Sequence, residues 1–500
     1  SGRAEPGFFV KLCAGALATL LLTFGGPLPG WAASQPSGHA WYPSLAESNL
    51  PDDTTAQTPE QTSAWQPPPP DMSLVPPDAN PAPPEPYQPK YQCLRSATNG
   101  AVLTDVPPAQ AMLDIADAHT ISQGAGVTVA IIDTGVNKHH YLTDNDRLIG
   151  GGDYVDPSAT NNGTVDCDGH GTITAGIVAA DTAGSGLGFT GVAPKATILA
   201  IRQTSQAYET TGSNATNAGN TASLAQAIVH AVGKGAQVIT TSVDECVAVP
   251  NPGQPIQLSQ QDRELQAAVH YAVQHNVVVV NSAGNTPSAN CPNTPQNSNP
   301  DPNRVNQIQI PALFAGDVLS VGSVDPATGN PSRFSVWGPW VSVAAPGEGI
   351  VSVDPAQGAT GLANLYSEPG AKQPSAIEGT SFAAPYVAGL AALLRSKYKN
   401  LSAREIMYRI EETAQHPSGP EGRNNQVGYG LVDPVAALTA SIPGQNGVPM
   451  PQATQVKAQV PNSGEDDTLP MRVALIGSAG AAVVLLLLYF FLRARVTRRR

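Results

Sequence analysis

Positive charge is scarce in this chain of 500 residues. Lysine and arginine together number 26 against 39 aspartates and glutamates, so the formal net charge at pH 7 is −13. Proteins that bind nucleic acid usually carry a basic patch that neutralises phosphate charge, and this balance provides none. The arginines near the C-terminus are better explained as a signal of membrane topology. We therefore predict no nucleic-acid partner.

Cysteine is also scarce, with five in the whole chain. Cys13 lies in an apolar N-terminal run, which leaves Cys93, Cys167, Cys246 and Cys291. Their spacing matches no zinc pattern, and no other spacing identifies a metal or cofactor site, so we predict neither. In an oxidising compartment four cysteines predict two disulfides, with three possible pairings. Free buried thiols are the alternative.

The first 33 residues resemble a secretory signal peptide. Arg3 and Lys11 precede an apolar run over 12–24, and glycine, proline and small residues follow it. This order is that of a cleaved export signal, which predicts removal of residues 1–33. An uncleaved anchor is the alternative, although the run is short for crossing a bilayer.

A second apolar stretch lies near the C-terminus. Residues 473–492 carry no charge and are long enough to cross about 30 Å of hydrocarbon at about 1.5 Å per residue. An arginine-rich tail at 493–500 follows, and the positive-inside rule assigns it to the cytoplasm. The sequence therefore predicts a single-pass protein of the inner (cytoplasmic) membrane. The bulk of the chain is then expected on the extracytoplasmic, periplasmic side and the C-terminus in the cytoplasm.

Proline-rich and polar segments flank the central part of the chain. Residues 34–90 form a proline-rich extension, and within it 51–89 show no apolar period, which predicts an extended, polyproline-like or disordered segment. Residues 443–472 are predicted to be a linker to the membrane. The central 91–442 are then one globular domain.

Buried-type apolar runs alternate with helical stretches in that central part. The predicted strands lie at 127–132, 196–201, 236–240, 276–280 and 318–324. The predicted helices lie at 172–180, 222–234, 259–274 and 384–398. This alternation is typical of an α/β fold in which a mostly parallel sheet carries helices on both faces. Its active site is expected at the carboxyl ends of the strands.

Three segments carry the residue types of nucleophilic catalysis. Asp133 ends an apolar strand, His170 lies between glycines at the start of a helix, and Ser381 begins another helix. A serine hydroxyl needs a base within hydrogen-bond reach, and the base needs an acid that fixes its tautomer. We therefore predict that Ser381 is the nucleophile, His170 the base and Asp133 the orienting acid.

Each of these residues also has a structural explanation. Ser381 could be an ordinary helix N-cap, His170 a helix-start histidine with a satisfied side chain, and Asp133 a turn former after a strand. Together, three such coincidences in one order are far less expected than a catalytic triad.

The motifs around these residues resemble those of the subtilisin-like serine proteases, the subtilases. They are DTG at 133–135, HGT at 170–172 and GTSFAAP at 379–385, in the order Asp, His, Ser that this family uses. The resemblance implies a subtilisin-like fold and serine endopeptidase activity.

The same resemblance implies an oxyanion donor. The segment AGN at 283–285 follows an apolar strand, and the matching asparagine of the family faces the oxyanion. That role falls to Asn285, with the backbone N–H of Ser381 as the second donor. The alternative is that Asn285 only tolerates a left-handed turn.

One segment departs from the family pattern. Subtilases bind the substrate backbone partly through Ser-x-Gly at the end of a strand, and Ser242 matches this serine. Asp244 replaces the glycine, and Glu245 follows it. Carboxylates near the pocket for the substrate side chain would disfavour acidic side chains and attract basic ones, unless both point into solvent. The departure predicts a narrow substrate range.

Further segments resemble the mycosins, the membrane-anchored subtilases of mycobacterial type VII secretion systems. These segments are YQC at 91–93, LAIRQ at 199–203 and GYGLVD at 428–433. The resemblance implies disulfides Cys93–Cys167 and Cys246–Cys291 and an N-terminal extension that wraps the catalytic domain. It also implies a variable loop at 203–222, in which no strand or helix period is visible.

Two functions follow from this resemblance. The first is an endopeptidase that cleaves a few protein substrates and also stabilises the type VII secretion membrane complex. The second is a mainly structural component of that complex with dispensable proteolysis. An inactive binding module is disfavoured because all four catalytic positions carry the expected residue types.

Overall fold

The computed structural model describes residues 63–98, 103–156, 158, 162–449 and 469–497. The described residues divide into two compact units, with the boundary between Leu438 and Thr439. The predicted signal peptide lies outside the described residues, as do residues 34–62 of the extension and most of the predicted linker.

The described strands, numbered in chain order, are β1 (Tyr87–Pro89), β2 (Thr128–Asp133), β3 (Leu148–Asp153), β4 (Thr197–Arg202), β5 (Ser205–Thr210), β6 (Asn217–Ala218), β7 (Val238–Thr241), β8 (Glu245–Ala248), β9 (Val278–Ser282), β10 (Gln307–Ile310), β11 (Leu319–Val324), β12 (Val343–Pro346), β13 (Ser352–Val353), β14 (Leu362–Ala363), β15 (Leu365–Tyr366) and β16 (Ser375–Ala376). The described α-helices are α1 (Pro108–Met112), α2 (Ile115–His119), α3 (His140–Thr143), α4 (His170–Ala179), α5 (Thr221–Gly233), α6 (Gln260–Gln274), α7 (Thr380–Lys397), α8 (Ala403–Glu412), α9 (Pro434–Thr439) and α10 (Leu469–Thr497).

The central sheet contains seven strands in the order β12-β11-β9-β7-β2-β4-β3. Every neighbouring pair runs parallel. Because a parallel sheet is covered on both faces, its strands are buried along nearly their whole length, which explains the uninterrupted apolar runs in the sequence. The five predicted strands correspond to β2, β4, β7, β9 and β11, so the predicted parallel sheet is confirmed.

Helices pack on this sheet in two pairs. Helices α5 and α6 contact each other, and they contact β2 and β9 respectively. Helices α4 and α7 form the other pair, and α7 also contacts β7, β9 and β11. The predicted α/β architecture with crossover helices is therefore confirmed.

The proline-rich extension is packed onto the enzyme over residues 63–98. The side chain of Trp65 is only 2% exposed, and its ring centroid lies 6.0 Å from that of Trp340. Farther along, β1 pairs antiparallel with β5. The disordered alternative is thus wrong for residues 63–89. Single anchoring side chains hold this segment, and they leave no periodic signal in the sequence.

The polar segment at 203–222 is not the loop that the sequence predicted. Strands β5 and β6 lie within it and form a three-stranded sheet with β1, in the order β1-β5-β6. Pairing through the backbone makes few demands on side-chain polarity, and the partner strand is more than 100 residues away in sequence. Both facts hide these strands from a search for apolar periods.

The second unit contains helix α10. An 18-residue window within its segment Met471–Arg495 has a mean hydropathy of 2.4, and the segment is long and apolar enough to cross a membrane. The predicted span 473–492 lies inside this helix, so the predicted C-terminal apolar helix is confirmed.

Candidate active site

The site lies at the carboxyl edge of the central sheet. Asp133 is the last residue of β2, Ser242 directly follows β7, and Asn285 comes three residues after β9. Since neighbouring parallel strands end at one edge, these side chains come together there. Helices α4 and α7 begin at the same edge and bring His170 and Ser381 to it.

A chain of short hydrogen bonds joins the three predicted triad residues. Nδ1 of His170 lies 2.8 Å from Oδ1 of Asp133, and Nε2 of His170 lies 2.9 Å from Oγ of Ser381. If Nδ1 carries the proton, it donates to the carboxylate, and Nε2 is left to accept from the serine hydroxyl. This arrangement can pass a proton from Ser381 to His170.

The backbone around Ser381 excludes the ordinary cap explanation. Gly379 is the N-cap of α7, with φ at +149°, and no side chain caps this helix. Ser381 is the second residue inside the helix, where the backbone N–H has no intrahelical partner. Its side chain and its N–H are therefore both available at the start of α7.

Charge stabilises the pair of Asp133 and His170. Burial alone would raise the pKa of Asp133, but the charge and hydrogen bond of His170 outweigh burial, and the pKa lies below its ordinary 3.8. Burial alone would lower the pKa of His170, but Asp133 outweighs it, and this pKa lies above 6.5. Asp133 thus stabilises the protonated imidazole that forms when a base accepts a proton.

Asn285 is fixed by contacts to the start of α7. Its Oδ1 accepts hydrogen bonds from the backbone N–H and the hydroxyl of Thr380, both at 3.0 Å. The amide oxygen is therefore occupied, and the amide nitrogen remains as a donor beside Gly379 and Ser381. The left-handed residue of this turn is Gly284, with φ at +94°, and not Asn285. The left-handed-turn explanation of Asn285 is wrong.

Asp244 faces the cleft and not the solvent. It lines a cleft of about 250 Å³ together with Asp133, His170 and Ser242. Its carboxylate accepts hydrogen bonds from Ser282 Oγ at 2.6 Å and from Asn281 Nδ2 at 2.8 Å. Burial raises the pKa of Asp244 to about 7 against these bonds, so its charge changes near neutral pH.

Ser242 contributes weakly to the electrostatics of the site. Its hydroxyl is close enough to Asp133 to help lower the pKa of that carboxyl. It has no hydrogen bond of normal geometry within the described part of the chain. This hydroxyl is buried, so it lies beneath the surface that a bound substrate would contact.

Several cleft residues were not found from the sequence. Tyr366 and Glu368 line the opposite wall, and the Tyr366 hydroxyl donates to Glu368 Oε1 at 2.9 Å. Phe382 packs on the ring of His170, with centroids 4.6 Å apart. Tyr366 and Glu368 lie in a stretch without strand or helix periodicity, so no sequence signal marked them. Phe382 lies inside the GTSFAAP motif, and an aromatic ring next to the nucleophile could have been noticed there.

Two disulfides flank the site, Cys93–Cys167 and Cys246–Cys291. These are the pairs that the family resemblance implied. The first joins the extension to the turn before His170, and the second joins β8 to the segment after Asn285. Over the described ranges, no group of three or more His, Cys, Asp or Glu side chains is arranged to hold a metal ion.

Comparison with known proteins agrees with this architecture. Residues 124–430 match the model of the subtilase family. Mycosin-1 of Mycobacterium tuberculosis (strain ATCC 25618 / H37Rv) is 43% identical over 405 residues, which are 77% of this chain and 85% of the relative. Mycosin-4 of the same organism is 38% identical over 441 residues, covering 87% of this chain and 92% of the relative.

Solved structures give the same result. The crystal structure of MycP1 from Mycobacterium smegmatis has a TM-score of 0.67 and 38% identity, and the match covers 78% of this chain and 99% of that one. A chain of an intact ESX-5 inner membrane complex has a TM-score of 0.66 and 36% identity, with 85% of this chain and 99% of that chain covered. The protein belongs to the mycosins, serine endopeptidases of the subtilase family.

Proposed function

We propose that this chain is a membrane-anchored endopeptidase of type VII secretion that cleaves a narrow range of protein substrates and also stabilises the secretion membrane complex. The observation that carries the catalytic part is the continuous hydrogen-bond chain Asp133–His170–Ser381. Such a chain supplies a nucleophile, a base and an orienting acid in one line.

In the proposed reaction, Ser381 Oγ attacks the carbonyl carbon of the scissile peptide bond. His170 Nε2 takes the hydroxyl proton and later donates it to the leaving amine. Asp133 holds the proton on Nδ1 and stabilises the imidazolium. Water then attacks the acyl-enzyme, with His170 again as the base, and releases the second product.

The oxyanion of each tetrahedral intermediate would be bound by the Asn285 side-chain amide and the Ser381 backbone N–H. The contacts from Thr380 that occupy Asn285 Oδ1 support this role, because they leave the amide nitrogen as the available donor beside Gly379. Both donors are fixed before the substrate arrives, so little reorganisation is needed when charge develops.

The narrow substrate range rests on the position of Asp244. A side chain stands where related enzymes have glycine, and it lines the cleft beside Ser242. We assign Ser242 to binding of the substrate backbone and Asp244 to selection of the substrate side chain. A carboxylate at this position disfavours acidic substrates when it is ionised.

The proposed location is the inner membrane, with α10 as the span, the enzyme on the periplasmic side and the C-terminus in the cytoplasm. The arginines after the apolar run support this orientation through the positive-inside rule. Two disulfides support an oxidising compartment for the enzyme. Chains similar to this one occur in an ESX-5 inner membrane complex, which supports a type VII secretion complex as the partner.

A mainly structural role is the second candidate. The observation that favours it is the packed extension, which adds a surface around the enzyme that proteolysis itself does not need. Under this hypothesis the complex depends on the folded protein, while cleavage is dispensable.

The deciding experiment compares wild type, Ser381→Ala and Ser396→Ala in the native host. Ser396 lies near the other end of α7 and serves as the matched control. Processing of secreted proteins and recovery of the membrane complex are measured together. If Ser381→Ala loses processing and keeps an intact complex, while Ser396→Ala behaves as wild type, the result supports the endopeptidase function. Unchanged processing would refute Ser381 as the nucleophile and favour the structural role.

A further inference from the structure

The two turns that carry Asp133 and His170 are packed backbone against backbone. A Cβ atom on Gly171 would lie 2.1 Å from the carbonyl oxygen of Gly135, closer than a non-bonded carbon and oxygen can approach. On Gly135, whose φ is +103°, a Cβ atom would lie 2.0 Å from the carbonyl oxygen of Val165. The spacing between Asp133 and His170 is thus set by close contact of these turns.

The buried carboxylate of Asp166 lies where the turns meet. Asp166 is 2% exposed, and five donors point at it. Oδ1 accepts from the Thr134 hydroxyl at 2.8 Å, the Gly169 N–H at 2.7 Å and the Asp168 N–H at 3.1 Å. Oδ2 accepts from the N–H and the hydroxyl of Thr172, at 2.9 and 2.7 Å.

These donors come from both sides of the Asp133–His170 pair. Thr134 directly follows Asp133, and its hydroxyl also accepts a hydrogen bond from the Gly171 N–H at 2.9 Å. Gly169 directly precedes His170, and Thr172 lies in the first turn of α4. The threonines of DTG and HGT therefore donate to the same carboxylate.

We infer that Asp166 is a positioning residue, whose carboxylate fixes the distance and orientation of Asp133 relative to His170. It touches neither substrate nor the reacting atoms, so it acts through the triad. An amide is a poor substitute, because its NH₂ group would face donors and leave buried groups unpaired. Small displacements of a catalytic group are costly, about 100-fold in rate for about 1 Å.

The protonation of Asp166 sets the conditions of the test. Burial is the largest cause, and together with the charge of Asp168 it raises the pKa of Asp166 to about 7. The hydrogen bonds from Thr172 and Gly169 act in the opposite direction and lower this pKa, but they do not outweigh burial. Kinetics are therefore measured well above pH 7, where the carboxylate is ionised and accepts from all five donors.

The experiment compares Asp166→Asn with Asp262→Asn. Asp262 is a buried carboxylate that accepts from the N–H of Ser259, the N-cap of α6, and it does not line the cleft. The readouts are kcat, KM, thermal unfolding and the downfield NMR resonance of the His170 Nδ1 proton. We expect Asp166→Asn to lower kcat by about 10- to 100-fold with little change in KM, and to shift or broaden the resonance. Asp262→Asn should affect unfolding alone.

Two further variants keep the test decisive if Asp166→Asn does not fold. Thr134→Val and Thr172→Val each remove one hydroxyl donor at nearly constant volume. Each should lower kcat and perturb the resonance in folded protein. If Asp166→Asn folds, adding Thr134→Val to it should lower kcat no further, because both changes remove the same contact. Unchanged kcat and resonance in folded variants would overturn the inference.

The inference rests on the proposed triad, and the two fail in different ways. If Ser381→Ala still cleaves, the triad assignment itself is wrong. If Ser381→Ala is inactive while folded Asp166→Asn, Thr134→Val and Thr172→Val cleave normally, only the positioning role is wrong.

Discussion

Asp244 turns its carboxylate toward Ser282, whose hydroxyl donates to it at 2.6 Å. The carboxyl group is therefore held from inside the protein while it lines the substrate cleft. Because its pKa is raised to about 7, the cleft gains a negative charge as pH rises through neutrality. Substrate selection by this residue should then depend on pH.

The first prediction concerns this selection. The test uses two peptides that differ only in carrying Glu or Gln at the position bound near Asp244. In wild type, the ratio of kcat/KM for the Glu peptide to kcat/KM for the Gln peptide should fall as pH rises through about 7. In Asp244→Asn the ratio should vary less with pH, because one charge is missing. A Glu245→Gln variant tests whether position matters, since that neighbour is not among the residues that line the cleft. An equal effect of both variants would contradict the assignment.

The second prediction concerns the pH dependence of cleavage. The reaction needs neutral His170, and Asp133 holds the pKa of His170 above 6.5 against the effect of burial. Activity should therefore be lost as pH falls, with the midpoint of kcat/KM above 6.5. Asp133→Asn should move this midpoint to lower pH and reduce kcat by about 10⁴-fold, because the tautomer is no longer fixed. An unmoved midpoint would show that another group controls the acid side of the profile.

The third prediction concerns Asn285. Asn285→Ala should reduce kcat by about 100- to 1000-fold with a small change in KM, because the lost donor acts on the developing oxyanion. Asn285 Oδ1 also holds Thr380, so Thr380→Val, which removes the hydroxyl and keeps the backbone bond, is the control. If Thr380→Val loses as much activity as Asn285→Ala, the effect is one of helix position and not of oxyanion binding.

The fourth prediction concerns the disulfide Cys93–Cys167. Replacing both cysteines by alanine should lower the free energy of unfolding by about 2–5 kcal/mol, because the bond closes a long loop in the unfolded chain. The sequence separation of this pair is 74, against 45 for Cys246–Cys291, which serves as the comparison. Urea unfolding of both double variants measures the difference. A larger loss for the shorter loop would show that strain or local packing, and not loop length, sets the stabilisation.

The sheet and the triad segments could be predicted because their signals are local. The five interior strands of the sheet were found as apolar runs, while the edge strands β12 and β3 were not predicted. Asp133, His170 and Ser381 each lie at a strand end or helix start with small neighbours. Their convergence needed one further rule, that parallel strands end at a common edge.

What could not be predicted depends on contacts between distant residues. Trp65 is one aromatic residue in a proline-rich segment, and only its contact with Trp340 shows that it anchors the extension. Strand β5 is polar and pairs with β1 through the backbone, so no apolar run marks it in the sequence. Asp166 was not singled out from the sequence, because its five donors come from two separate segments and converge only in the fold.

The hydrogen bond between His170 and Ser381 also has a consequence for timing. The two residues are 211 positions apart, and the ribosome makes the chain from its N-terminus. Under the proposed triad, a growing polypeptide contains the acid and the base but has no nucleophile until residue 381 of 500 has been added. Throughout most of translation the nascent enzyme is therefore unable to cut itself or its neighbours.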